Sequence, residues 1–309
     1  MYDLIIVGGG PAGVAAAVYA ARKRLKTMFI SAEWGGQSNV SSEIHNWIGT
    51  PKISGVDLAK NLKAHAEEYA GEFLTVKSPA TALSLSATNE KVTVTLSNKE
   101  VVEAKALLIA SGSARRKLEV PGAKEYDQKG LTYCASCDGP LFADQNVVVV
   151  GGGNAAFESA LQLLAYCKTV YLLNRTENFR ADEITVAAAR AHPNMRIILN
   201  AEPTAVDGAQ FVTGFRYKDS KTGEEKKLAV TGVFVEIGLI PNTAWVAEVV
   251  AMTPIKQIVA DPRTQRTSHP RIWAAGDCTD TLYHQNNIAA GDAVRALEDI
   301  YVSLRKEAN

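Results

Sequence analysis

Apolar residues along this chain fall in short blocks closed by glycine, not in long runs. Leu4-Ile5-Ile6-Val7 is continuous, which predicts a strand buried on both faces. Gly8-Gly9-Gly10-Pro11-Ala12-Gly13 follows, then a helix-prone stretch over 14–22 and a second strand over 27–30. Between 76 and 102 the period shifts towards two, as in Val92-Thr93-Val94-Thr95-Leu96, and predicts an antiparallel meander. Another buried strand, 106–109, ends at the turn Ala110-Ser111-Gly112. The opening pattern then returns. Asn146-Val147-Val148-Val149-Val150 leads into Gly151-Gly152-Gly153-Asn154-Ala155-Ala156, a helix over 157–164 and a strand over 169–173. Near the end, a short strand over 271–275 runs into Gly276-Asp277, and 288–294 is helix-prone. Strands alternating with helices predict an α/β chain with two Rossmann-like dinucleotide-binding domains.

Each glycine turn sits where a nucleotide fold needs it. Strand, G-x-G-x-x-G and helix occur in that order at Gly8, Gly10 and Gly13, so a pyrophosphate can approach backbone NH groups at the helix start. Glu33, twenty residues past Gly13, stands where a ribose-binding acid is expected. Gly151, Gly153 and Ala156 repeat the pattern as G-x-G-x-x-A. There the partner strand ends at Asn174-Arg175 with no acid, and an arginine suits a 2′-phosphate. Two such folds in one chain point to one flavin and one pyridine nucleotide, the alternative being a degenerate structural repeat. The Gly276-Asp277 turn near the C-terminus assigns the flavin to the first.

Between the two glycine motifs lies Cys134-Ala135-Ser136-Cys137-Asp138. Two cysteines at this spacing can close and reopen a disulfide, and a dithiol between two nucleotide sites suggests an electron relay. Zinc would require a second ligand pair, and Cys167 and Cys278 stand alone, so no metal is expected. His45, His65, His192 and His269 are scattered without ligand spacing. Cys167 and Cys278 read as core residues, and Trp47 and Trp273 as packing residues.

Bulk properties narrow the classes. At 309 residues there is room for two domains of roughly 150 residues each. The 33 basic residues balance the 33 acidic ones, which argues against nucleic acid or an anionic membrane as partner. Arg115-Arg116-Lys117 reads as a solvated hinge face. Four cysteines do not make a secreted disulfide scaffold, the N-terminus runs straight into a strand, and no apolar run approaches the roughly 18 residues of a membrane span. A cytoplasmic enzyme is the expectation.

Taken in order, Gly8 to Gly13, Gly35-Gly36-Gln37, Asn46-Trp47, Ala110-Ser111-Gly112, the Cys134 to Asp138 motif, Gly151 to Ala156, Gly238-Leu239-Ile240-Pro241-Asn242-Thr243 and Ala275-Gly276-Asp277 resemble the low-molecular-weight thioredoxin reductase family over essentially the whole chain. The third quarter of the chain, residues 195–238, is also similar to the flavoprotein subunit of alkyl hydroperoxide reductase. The resemblance implies a two-domain FAD/NAD(P) flavoprotein disulfide reductase. Its FAD domain comprises 1–114 and 245–309, and its nucleotide domain, carrying the redox-active cysteines, comprises 115–244. It implies a homodimer that passes electrons from NADPH or NADH through FAD to the dithiol, and on to a thioredoxin-like or glutaredoxin-like protein. Cys137 is then nearest the flavin, Cys134 attacks the partner disulfide, and Asp138 serves as acid or base. Glu33, Gly36, Gln37, Asn46, Gly112, Gly276, Asp277 and Gln285 belong to the flavin site, and Arg175 and Arg180 to the second nucleotide.

Three departures bear on the donor and the flavin. NADPH-using relatives carry His-Arg-Arg-x-x-x-Arg where this chain reads Asn174-Arg175-Thr176-Glu177-Asn178-Phe179-Arg180, so one phosphate-binding arginine is missing. The usual Ala-Thr-Gly turn is Ala110-Ser111-Gly112, and His284-Gln285-Asn286-Asn287 replaces Arg-Gln followed by small or apolar residues. Weak nucleotide determinants leave open a ferredoxin-like or other protein donor with a vestigial second site. A dithiol oxidase would use the same fold, but Asp138 argues against it. A redox-sensing flavoprotein that binds a partner without turnover is a rival from a different class. Ferredoxin-NADP reductases of this fold lack the C-x-x-C.

Overall fold

The structure is a computed structural model describing residues 1–41, 44, 46–133 and 135–308, with the backbone alone at Val40, Ser136, Cys137, Glu307 and Ala308. The chain divides into two compact units, Met1–Ala114 with Ile240–Asn309, and Arg115–Leu239.

The first unit opens with β1 (Tyr2–Val7), α1 (Pro11–Arg22), β2 (Thr27–Ile30), α2 (Gly55–Glu68), β3 (Leu74–Lys77), β4 (Ala82–Ala87), β5 (Val92–Leu96) and β6 (Val101–Ile109). The strands form one sheet in the order β3-β2-β1-β6-β5-β4. From β3 to β6 they are parallel, while β5 and β4 return antiparallel. The meander therefore begins at β4, and Val76 belongs instead to β3, opposite Phe29. Alternation along β1 explains its continuous apolar run. Leu4 and Ile6 enter the core beneath α1, whereas Ile5 and Val7 enter the core on the other face. Ser54 caps α2 through Asp57 N–H···Oγ at 3.0 Å, a contact worth about 1 kcal/mol.

The second unit contains β7 (Ser113–Arg115) as its entry, β8 (Leu131–Thr132), α3 (Ala135–Asp138), β9 (Asn146–Val150), α4 (Asn154–Leu163), β10 (Thr169–Leu173), α5 (Glu183–Ala191) and β11 (Met195–Ile198). It continues with β12 (Ala201–Gly208), β13 (Val212–Asp219), β14 (Glu225–Leu228), β15 (Gly232–Val235) and β16 (Leu239–Pro241) as its exit. A parallel sheet β11-β10-β9-β15-β8 lies between two cores. Val147 and Val149 pack with Phe157 and Leu163 of α4, while Val148 and Val150 pack with Val206, Phe215 and Tyr217 of the antiparallel β12-β13-β14 layer. Helices thus cover one face and a small sheet the other, as a sheet buried on both sides requires.

On returning to the first unit the chain forms β17 (Ile272–Ala274) and α6 (Asn286–Ala308). β17 pairs parallel with residues 107–109 of β6, next to the residues 101–104 that pair with β5. Thus β6 has β1 on one edge and two successive neighbours on the other. On the return, Asn242 N–H donates to Gly112 O at 2.9 Å and Thr243 Oγ1 donates to Lys256 O at 2.6 Å, tying the chain back into the first unit.

Candidate active site

In the first unit the glycine turn spans the C-terminal ends of β1 and β6. Gly8 has φ +132, and a Cβ there would lie 2.0 Å from Ala110 O, so the turn closes directly on the Ala110–Ser111 backbone. At Gly13 a Cβ would fall 1.8 Å from Gly8 O, which fixes how closely α1 approaches β1. Gly10 differs: a Cβ there meets nothing within 4 Å. It caps α1 without a side-chain hydrogen bond, and the first helical turn carries no acid. Tight packing behind and open space in front make a cradle in which α1 amides can hold a pyrophosphate.

The other flavin-site candidates lie around this cradle. Gly36, at φ +56, directs its Cβ position to 3.5 Å from Gly10 Cα, and Gly35 N–H donates to Gly9 O at 2.8 Å. Gln37 Nε2 donates to Ser113 Oγ at 2.8 Å. Glu33 takes part through its carbonyl, which accepts from Ser31 Oγ, while its side chain is exposed. Gly276, at φ +76, faces Ala289 and Ala12, bringing the Gly276-Asp277 turn to the start of α1. Asn242 locks the Ala110-Ser111-Gly112 turn: its carbonyl accepts from Ser111 Oγ at 2.8 Å, and its Nδ2 donates to Ser111 O at 3.0 Å.

The polar run at the start of α6, His284 to Asn287, is a latch. His284 Nδ1 stands 3.3 Å from Asp277 Oδ1. Asn46 Nδ2 donates to Gln285 Oε1 at 2.9 Å, Ser38 Oγ donates to Asn286 Oδ1 at 2.9 Å, and Asn287 bonds the backbone at both Asn46 and Ile48. A hydrogen bond to Asp277 raises the His284 pKa against partial burial. Cys278 next door is fully buried, its thiol pushed up to about 11 by burial, and is inert as a nucleophile. Cys167 is likewise buried, with its thiol raised to about 11.

The second glycine turn is built the same way at β9 and α4. Gly151 has φ +150, Ala156 is fully buried against it, and a Cβ at Gly153 meets nothing within 4 Å. Gly153 caps α4 with no side-chain hydrogen bond. Asn174 is buried and folds the 174–180 loop: its Nδ2 donates to Thr176 O at 2.9 Å and to Asn178 O at 3.0 Å. Arg180 N–H returns to Gly152 O at 2.8 Å. Arg175 and Arg180 are both exposed on this loop, with Thr176 between them.

Of the redox motif, Cys134 lies outside the described residues, as does His45, and Cys137 is placed as backbone within α3. Asp138 is half-buried at the end of α3, and its Oδ2 accepts a hydrogen bond from Thr132 Oγ1. Among the described residues no group of His, Cys, Asp and Glu could hold a metal ion. No described helix is long and apolar enough to cross a membrane.

Some contacts are invisible in the sequence. Arg115 is a partner of a buried carboxylate and not a purely solvated residue: its guanidinium lies 3.0 Å from Glu236, which also accepts from Ser159 Oγ at 2.9 Å. Burial raises the Glu236 pKa, opposed by Arg115 and Ser159. The pairing of Thr132 with Asp138 and of His284 with Asp277 belongs to no motif either. Of these contacts, only the last leaves a trace in the sequence, as the unusual polar run at 284–287.

Comparison with known proteins agrees with this architecture. The F subunit of alkyl hydroperoxide reductase from Staphylococcus aureus (strain N315) is 40% identical over 295 residues, covering 96% of this chain and 57% of that protein. The Escherichia coli (strain K12) protein of the same name is 37% identical over 296 residues, covering 96% and 57%. The chain therefore spans little more than half the length of these relatives. Among solved structures, Lactococcus lactis thioredoxin reductase superposes with a TM-score of 0.88 at 31% identity, covering 99% of this chain and 100% of that one. T. acidophilum thioredoxin reductase gives 0.84 at 34%, covering 99% and 98%. The pyridine nucleotide-disulphide oxidoreductase family matches residues 2–294, and with both glycine cradles in place this chain belongs to that family of oxidoreductases.

Proposed function

We propose that the protein is an FAD-dependent disulfide reductase that takes electrons from NADPH or NADH and delivers them, through Cys134 and Cys137, to a thioredoxin-like or glutaredoxin-like protein. The observation that carries this reading is the presence, in one chain, of two open glycine turns, one per unit, whose caps make no side-chain hydrogen bond, with a C-x-x-C-Asp motif in the second unit. The first unit holds FAD: Gly8, Gly10, Gly13 and Gly36 admit the pyrophosphate, Glu33, Gln37, Asn46, Gly112 and Gly276 frame the site, and Asp277 and Gln285 orient the nucleotide. Arg115–Leu239 holds the pyridine nucleotide at Gly151, Gly153 and Ala156, with Arg175 and Arg180 towards the ribose phosphate. The working form is a cytoplasmic homodimer.

When bound, FAD supplies the two-electron relay between a reduced nicotinamide and a disulfide. The chain's own residues do the rest. Cys134 attacks the partner disulfide and forms a mixed disulfide. Cys137 then attacks Cys134 sulfur, closing the Cys134–Cys137 bond as the partner's second thiolate departs. Asp138 takes the Cys137 proton and gives it to the leaving thiolate.

Anaerobic titration of the yellow protein with NADPH, and separately with NADH, tests the donor. Stoichiometric loss of oxidised flavin absorbance with either supports the reading. If only dithionite bleaches the flavin, the donor is a protein; Thr176 at a phosphate-binding arginine position favours that second reading. Cys137→Ser then tests the acceptor, since Cys134 should retain the partner as a mixed disulfide.

A further inference from the structure

We infer that Thr132 is a positioning residue for proton transfer, holding in place the carboxylate of Asp138, the residue that follows Cys137 in sequence; this rests on the role proposed above for Asp138. Strand geometry puts the hydroxyl there. Successive side chains of a strand point to opposite faces. Leu131 and Tyr133, flanking Thr132, both enter the core shared with β12 and β13. Tyr133 is fixed on that side, its hydroxyl accepting from Leu118 N–H at 3.2 Å with Lys117 Nζ 4.0 Å from its ring centroid. Thr132 therefore projects to the opposite face, where Ala135 of α3 packs into the helix-covered core. Thr132 is paired with Phe234 across β8 and β15 and is almost fully buried.

A buried hydroxyl needs a partner, and this one donates to Asp138 Oδ2. The consequence is directional. With Oδ2 engaged, the carboxylate cannot swing freely about its side-chain torsions, which limits the directions from which it can exchange a proton with Cys137, its neighbour in sequence. α3 is itself anchored, because Gly139 follows it so close to α4 that a Cβ there would lie 3.2 Å from Leu163. A rigid strand on one side and a packed helix on the other thus set where the proton acceptor sits, as a catalytic constellation requires.

The chemical step is the second thiol–disulfide exchange. The Cys137 sulfur attacks the Cys134 sulfur of a mixed disulfide, the Cys134–Cys137 bond forms, and the bond from Cys134 to the partner sulfur breaks. The electron pair leaves on that sulfur, and the Cys137 proton goes to Asp138. Over the two exchanges, two thiols are oxidised and one disulfide is reduced, with no further reagent.

The test is a single-turnover measurement on the flavin-loaded full chain. The protein is pre-reduced with dithiothreitol, freed of it, and mixed with 5,5′-dithiobis(2-nitrobenzoate). Release of the second thionitrobenzoate reports the resolving step. Thr132→Val, Thr132→Ser, Asp138→Asn and the Val/Asn double variant are compared. We expect Asp138→Asn to slow that phase on the order of a hundredfold. Thr132→Val should slow it roughly tenfold and Thr132→Ser less than about twofold, with valine adding no further loss in the Asp138→Asn background. If valine costs the same factor in both backgrounds, or serine is as slow as valine, Thr132 acts on the fold alone and the inference is overturned while the Asp138 role stands. If Asp138→Asn leaves the phase unchanged, the role of Asp138 fails first. Should Thr132→Val not fold, Thr132→Ala in the same cycle gives the same decision.

Discussion

His284 Nδ1 and Asp277 Oδ1 lie 3.3 Å apart, linking the loop before α6 to the glycine turn that faces α1. The hydrogen bond to Asp277 raises the imidazole pKa above its usual value of about 6.5. A raised histidine contributes stability that is fully present below the unfolded pKa and is lost as pH rises through the folded one. Thermal melts of wild type and His284→Asn should therefore differ at about pH 6 and converge by about pH 9. An equal gap at both pH values means the pair is uncharged.

Gly10 and Gly13 separate binding from folding. Gly13→Ala forces a Cβ into Gly8 O and should cost about 1–3 kcal/mol, releasing flavin through distortion. Gly10→Ala meets no protein atom within 4 Å, so the apoprotein should melt as wild type does while FAD affinity falls roughly tenfold. Fluorimetric flavin titration alongside calorimetry reads both. An unchanged FAD affinity in Gly10→Ala would remove the pyrophosphate from this cradle.

Arg115→Ala leaves Glu236 buried with Ser159 as its remaining side-chain partner. We expect a loss of about 2 kcal/mol at neutral pH. Because burial already raises the Glu236 pKa, the loss should shrink as pH falls and the carboxyl becomes neutral. Glu236→Gln in the same background should recover part of it. Urea melts at two pH values decide the matter, and a pH-independent loss would locate the effect elsewhere.

On the proposed reading of the 174–180 loop as the site of the ribose phosphate, Thr176 is the position that lacks a cation. It is exposed, and its hydroxyl donates to Asn178 O at 2.8 Å. Thr176→Arg adds a bidentate donor between Arg175 and Arg180, and should lower KM for NADPH roughly tenfold while leaving NADH nearly unchanged. Equal changes for both nucleotides would take the 174–180 loop away from the 2′-phosphate.

Regular periodicity makes most of this architecture legible. The strand limits at Thr27–Ile30, Asn146–Val150 and Thr169–Leu173 follow from apolar blocks ended by turn residues, and each is a parallel strand whose neighbours repeat the same pattern. Periodicity misleads where pairing decides the outcome: Val76 alternates like a meander strand yet joins β3, because β2 offers it a parallel edge. The glycine cradles are readable because backbone approach leaves glycine as the tolerated residue. The 284–287 latch is visible as an oddity, but its partners Ser38, Asn46 and Asp277 are mostly distant in sequence, and such pairings carry no periodic signal. Glu236 with Arg115 and Thr132 with Asp138 are hidden because side-chain pairing leaves no mark on either residue's own neighbourhood.

The divided outer edge of β6 has a consequence for biosynthesis. Leu107 and Ile109 acquire their outer neighbours, Ile272 and Ala274, only after the whole of Arg115–Leu239 has been made. Until then a strand edge of this sheet stays unpaired, and α1 has α2 beside it but not α6. The inserted unit, continuous in sequence, is free to condense on the ribosome before the unit it interrupts can close. Closure of the first unit therefore waits for β17 and α6.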